Sequence, residues 1–187
     1  KESDGKPGEP TFMLSDNYKD NGAIELNRDL AEWGLRIAKD VQLDDTPKAE
    51  EYRKNYPQKT ANEKPSVRTG ASVTGDNYWH GRGSSKQEAD ICEAYKASPY
   101  GVTQMEDNAF AIVLRSMGHL NRYLVVRDVV NFDQPHPGQT VQESLKASSG
   151  GFSIGMINGH RVGSAVVRHI LGDWAAWEKG VPVPPKQ

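Results

Sequence analysis

Residues 101–139 read GVTQMEDNAFAIVLRSMGHLNRYLVVRDVVNFDQPHPGQ, and the fold is decided in this stretch. A compact polar cluster, Gln104, Met105, Glu106, Asp107 and Asn108, runs directly into Phe110, Ile112, Val113, Leu114 and Met117. Apolar recurrence at that spacing predicts a helix that starts just after the cluster. The next run, Tyr123 to Val130 (YLVVRDVV), is rich in β-branched residues and predicts a strand covered on both faces. Strand propensity stops at Asn131, because Pro135 and Pro137 each remove a donor and fix φ. Polar residues therefore follow a strand's carboxyl end, and in an open α/β sheet that edge is where ligands usually bind.

Working outward, the 187 residues suffice for one domain with its own core, and the apolar fraction of 36% describes a rather polar chain. Mean hydropathy is −0.72. Twenty-three basic residues against 25 acidic ones leave a formal charge of −2, so no long-range field recruits nucleic acid or an anionic membrane. The single cysteine, Cys92, excludes an internal disulfide framework and any Cys-rich metal site, and the five histidines are scattered. No metal or cofactor is expected. No apolar run of about 18 residues spans a bilayer, and the beginning, KESDGKPGEP, has no apolar segment resembling a signal peptide.

In chain order, residues 1–10 read as a flexible tail and Thr11–Leu14 as a brief strand. Asn27 is a candidate N-cap for a helix over residues 28–39, and Thr46-Pro47 opens a short charged helix over 48–54. Residues 55–66 read as a loop. A strand over 67–74 then ends at Gly75-Asp76, followed by Asn77, Tyr78, Trp79 and His80 in a glycine-bounded loop. That aromatic and polar group either lines a ligand site or caps the core. Residues 84–97 predict a helix with Ile91 and Tyr95 on one face, and Cys92 beside them reads as packing. Residues 139–147 predict a turn of helix or a flap, Ser148-Ser149-Gly150-Gly151 a hinge, and 156–174 a long amphipathic helix anchored by Trp174 and Trp177. The closing VPVPPKQ is a proline-rich tail.

The candidate site residues follow from what each can do. Glu106 either favours the first helical turn through the helix dipole, with Met105 as core filler, or accepts both hydroxyls of a vicinal diol. Asn131 can donate and accept at the edge of a neutral heterocycle, whereas Asp133 can accept, or act as a general acid if its pKa is raised. Either could instead close an Asx turn before the prolines.

TQMEDNA, LVVRDVVNFDQPHPGQT and GGFSIGMINGHRVGSAVV resemble the fungal and bacterial purine nucleoside permease family, which is similar in fold to the nucleoside phosphorylases. ELNRDLAEWGLRIAK, EEYRKNYP and TGDNYWHG extend the resemblance over nearly the whole chain. It implies that Met105-Glu106 matches a ribose-binding Met-Glu pair, that Tyr78 stacks on the base, and that Asn131, with Asp133 as a second contact, meets the purine ring. Val130-Asn131 stands where many phosphorylases have Ser-Asp, so the acid that would protonate a leaving base is missing from that position.

The resemblance also implies that the chain, which starts at Lys1, is the C-terminal half of a longer protein, without the phosphate-binding part. The expected fold is a three-layer α/β domain over residues 11–180, nucleoside phosphorylase-like and incomplete in this chain. Its central sheet is mostly parallel or mixed, with helices on both faces. The expected function is purine nucleoside or base binding associated with uptake; the alternative is an enzyme that cleaves the N-glycosidic bond. Expected partners are the N-terminal half or a second copy covering an open sheet edge, and any membrane or envelope association would come through the missing part. No catalytic residue is assigned.

Overall fold

Asn27 opens the first described helix, α1 (Arg28–Ala38), as expected: its backbone is extended and its side-chain oxygen accepts from the Leu30 amide at 3.2 Å. Thr46 caps α2 (Pro47–Arg53) in the same way through the Ala49 amide, with Pro47 in the first turn where no N–H is needed. The computed structural model describes residues 22–76, 78–97 and 99–185. The tail at 1–10, the strand at Thr11–Leu14 and Asn77 fall outside these residues.

A 3₁₀ turn at Lys59–Asn62 interrupts the loop expected at 55–66. Two strands, β1 (Ala71–Thr74) and β2 (Tyr100–Gln104), then pair in parallel, Val73 opposite Thr103 and Thr74 opposite Gln104. The helix α3 (Arg82–Ala94) connects them, as a parallel pair requires a crossover. It begins two residues earlier than the sequence suggests, and Cys92 is buried on it without a disulfide. After β2 come α4 (Asp107–Ser116), a 3₁₀ turn at Leu120–Arg122, and α5 (Val141–Lys146), whose Thr140 and Glu143 form a reciprocal capping box. Gly150, in the left-handed region at φ 74°, turns the chain into the long helix α6 (Gly151–Gly172), and α7 (Trp174–Trp177) follows.

The strand expected at 123–130 does not form a ladder; among the described residues the sheet contains β1 and β2. Its side chains still alternate. Leu124 meets Gly34 of α1, and Asp128 and Val130 lie against Gly155 and Gly159 of α6, whereas Arg127 reaches the end of β2. A strand needs a neighbouring backbone as well as the right residues, and among the described residues none pairs with this segment. Nor are both faces covered, since Val126 and Val129 are exposed.

The helix after the polar cluster is where the periodicity places it, but Phe110, Ile112, Val113 and Met117 are exposed and Ala111 with Asp107 forms the buried face. On α6, Val162 and Val166 are buried, while Phe152, Met156, Val167 and Leu171 are exposed. Trp177 is buried beside Trp33 at 5.7 Å, but Trp174 is 52% exposed, so one of the two expected tryptophan anchors holds. The architecture is mixed helix and small parallel sheet, an α/β arrangement whose sheet carries its polar residues at the carboxyl ends of the strands.

Candidate ligand site at the carboxyl edge

Both parallel strands deliver polar groups at the same end. β2 finishes at Gln104, whose side-chain oxygen accepts from the amides of Glu106 at 2.7 Å and Asp107 at 2.9 Å, satisfying donors exposed where α4 begins. Its amide nitrogen donates to Ser72 at 3.1 Å and to Thr74, tying the two strand ends together. Arg127 enters the same group from the 123–130 segment, donating to Gln104 Oε1 at 3.0 Å, Glu106 Oε2 at 2.9 Å and Asp107 Oδ1 at 2.9 Å. Burial works against its charge, but the two carboxylates outweigh that and raise its pKa. Asp107, 8% exposed, also accepts from Ser72. Glu106 and Met105 are exposed.

On the other side stand the groups that follow β1 and the 123–130 segment. Asn131 Nδ2 donates to the Tyr78 hydroxyl at 3.3 Å, so these two candidates meet. The Tyr78 ring is 63% exposed and lies roughly parallel to the His80 ring at 6.1 Å, leaving an aromatic face open. The Asp133 carboxylate accepts from the Tyr100 hydroxyl at 2.8 Å, while its carbonyl accepts from the Gly81 amide at 2.7 Å.

Asp133 also belongs to a second cluster, centred on Tyr100 at the start of β2. Glu88 of α3 is fully buried, and its Oε2 accepts from the same Tyr100 hydroxyl at 2.8 Å. Burial raises its pKa to about 7; the Tyr100 hydrogen bond opposes the shift, and Asp133 adds to it. Burial and the two neighbouring carboxyl groups likewise raise the Tyr100 phenol. Burial lowers His80, against the pull of Asp133, and neither of its ring nitrogens has a hydrogen-bond partner. Tyr56 closes the floor, stacked on Phe132 at 3.8 Å and donating to the Gln134 carbonyl at 2.9 Å. One signal for Glu88 was available: helical spacing puts it on the face of Ile91, Cys92 and Tyr95. Arg127 was visible only as a lone cation within a β-branched run.

Elsewhere, an open depression of about 630 Å³ is lined by Val41, Gln42, Asp44, Arg161, Ala165 and Arg168. It shares no residue with the candidate edge, and Arg161 already pairs with Asp44 across 2.8 Å. Among the described residues, no group of three or more His, Cys, Asp or Glu side chains could hold a metal ion, and no helix is long and apolar enough to cross a membrane.

These features define a class: an α/β domain with aromatic, amide and carboxylate groups following the carboxyl ends of parallel strands. The chain belongs to the purine nucleoside permease family, whose model matches residues 5–182. It is 31% identical over 181 residues to a Schizosaccharomyces pombe protein named probable purine nucleoside permease, a match covering 92% of this chain and 52% of the relative. It is 26% identical over 160 residues to the purine nucleoside permease of Candida albicans, covering 81% of this chain and 39% of that protein. The chain thus spans about half, or less, of the length of these relatives. No solved structure matches.

Proposed function

We propose that the carboxyl edge binds a purine nucleoside or its free base in the service of nucleoside uptake. The observation that carries this reading is the meeting of Tyr78 and Asn131, drawn from two segments; Met105-Glu106, exposed, follows a third. In this reading the open Tyr78 face stacks on the base, and the Asn131 amide meets donors and acceptors on the heterocycle edge. Glu106 accepts from the two ribose hydroxyls, exchanging its Arg127 contact for the sugar, with Met105 packing beside it. Asp133 acts from below. The family name, and the names of the fungal relatives, support the choice of purine nucleoside and of transport.

The same reading makes the described fold part of a larger three-layer, nucleoside phosphorylase-like sheet within a single domain over residues 11–180. Phe110, Val113, Met117, Val126 and Val129 stand exposed, and the relatives are about twice as long as the chain or longer. The rest of the family's longer protein is the proposed cover for these apolar faces, and any spanning of the membrane belongs to another component.

Calorimetric titration with inosine, adenosine, uridine and the free bases tests the binding reading. Saturable purine binding, weakened about tenfold or more by Tyr78→Ala or Glu106→Ala, is expected; preference for uridine, or indifference to both substitutions, would overturn it. A chromatographic assay of the same mixtures, with and without phosphate, separates binding from glycosidic cleavage: released base would replace uptake by the enzymatic alternative. Sedimentation of the isolated chain tests the cover. A monomer that binds a separately expressed remainder of the longer family protein supports it, and a stable dimer would assign those faces to a second copy instead.

A further inference from the structure

Counting hydrogens beneath the edge gives a result that the sequence does not contain. The Tyr100 hydroxyl lies 2.8 Å from Glu88 Oε2 and 2.8 Å from Asp133 Oδ2, yet it has one proton to donate. If both carboxyls were ionised, one contact would set a carboxylate against a hydroxyl lone pair, and two negative charges would meet at one hydroxyl, that of Glu88 fully buried. A proton on either carboxyl resolves both problems, because that carboxyl then donates to the Tyr100 oxygen while Tyr100 donates to the other. Glu88 is the better holder, being fully buried, with Oε1 lacking any hydrogen-bond partner.

Among the described residues, the groups that act on Glu88 are Tyr100 and Asp133, neither of them a cation. The titratable groups facing the pair are Tyr100 from β2, His80 from the loop after β1, Tyr56 from the segment after α2, and Cys92 from α3 itself. Burial disfavours a charge on His80, against the pull of Asp133, and raises the Cys92 thiol, to which the nearby Glu88 charge also contributes. The segment carrying Asp133 is otherwise pinned at its backbone by Gly81 and Tyr56 and through the Phe132 ring. Asn131 stands at the start of that segment, and its reach to Tyr78 depends on where the segment is held.

We propose that Glu88 and Asp133 hold one proton between them through the Tyr100 hydroxyl, and that this shared proton fixes residues 131–136 so that Asn131 meets Tyr78. Glu88 is thus a positioning residue for the purine-side contacts, an assignment that rests on the nucleoside-binding reading above. Loss of the proton leaves two facing carboxylates, which loosens the segment and weakens binding. Glu88→Gln mimics the protonated form, since its amide donates to Asp133 or Tyr100 without titrating.

The experiment pairs inosine titration at about pH 6 and about pH 8.5 with infrared detection of a protonated carboxyl in the unliganded chain. Expected for the natural sequence are severalfold weaker binding at the higher pH and a protonated-carboxyl band that disappears over the same interval. Glu88→Gln should bind equally well at both pH values and lack the band. An unchanged pH profile in Glu88→Gln, or a band that persists in it, overturns the proposal. If inosine binds at neither pH, the nucleoside reading fails by itself, and the infrared arm still decides whether the proton is shared. Should Glu88→Gln not fold, Asp133→Asn replaces it: its amide donates to Glu88, so the band should vanish at lower pH than in the natural chain, and an unmoved band overturns the pair.

Discussion

Tyr78 and Asn131 stand over a buried scaffold of aromatic rings and a carboxyl pair, whereas Glu106, on the other side of the edge, is held by an ion pair with its Arg127 partner 37% exposed. The first arrangement is the more sheltered, since Glu88 beneath it is fully buried, and an unmade bond to a buried group costs more than a made one contributes. The second is exchangeable, since a surface ion pair contributes little and a ligand hydroxyl can replace one arm of it. One edge thus combines a fixed wall with an adaptable one, which in the proposed reading face the heterocycle and the sugar respectively.

Substitutions can break this contrast, beginning with the floor. Tyr56→Ala removes a 3% exposed ring stacked on Phe132 and should lower stability by about 3–5 kcal/mol in chemical denaturation, by analogy with other aromatic truncations. Tyr100→Phe keeps the ring but leaves Glu88 and Asp133 without their hydroxyl, with an expected loss of about 1–3 kcal/mol. Equal stability for Tyr100→Phe and the natural chain would mean that the scaffold is not held by that hydroxyl.

The pH dependence sharpens the same point. The folded pKa of Glu88 lies near 7, above its ordinary value of 4.5, so the folded state holds its proton longer than the unfolded chain does. The stabilisation is present in full below the ordinary value and is lost as pH rises from there to about 7, levelling above. A melting temperature that falls across this window in the natural chain and stays flat in Glu88→Gln is the expected result.

The exposed wall should respond less. Arg127→Ala uncovers the Asp107 carboxylate, which keeps Ser72, and is expected to cost about 1 kcal/mol. Glu106→Ala should alter stability by no more than about 0.5 kcal/mol while reducing nucleoside affinity. If Glu106→Ala destabilised the chain as much as Tyr100→Phe, the distinction between a fixed and an adaptable wall would collapse.

What the sequence made legible was mostly local. Asn27 and Thr46 announced their helices because a cap needs only its own side chain and an amide a few residues on. The strand over 123–130 was misread because a ladder depends on a distant backbone that composition does not reveal, and β-branched residues supply propensity without a partner. Periodicity located the helix containing Phe110 but not which way that residue would point. Within the site, Tyr78 and Asn131 were recoverable as residues following strand-like runs. Glu88 and Tyr100 became informative only once α3 and β2 brought them together, with the Asp133 carboxylate on the same hydroxyl.

The glycines of α6 carry a consequence for how this sequence tolerates change. A methyl group at Gly151 would lie 2.6 Å from the Val130 carbonyl oxygen, one at Gly155 2.7 Å from a Val130 methyl, and one at Gly159 2.8 Å from the Asp128 carboxylate. Gly163 and Gly172, farther along the same helix, would meet nothing within 4 Å. In a saturation library, alanine should be depleted at the first three positions and accepted at the last two. The helix therefore divides into a stretch whose drift is restricted by the segment leading to Asn131 and a stretch free to diversify, so the geometry of the edge is guarded by residues that contribute no side chain to it.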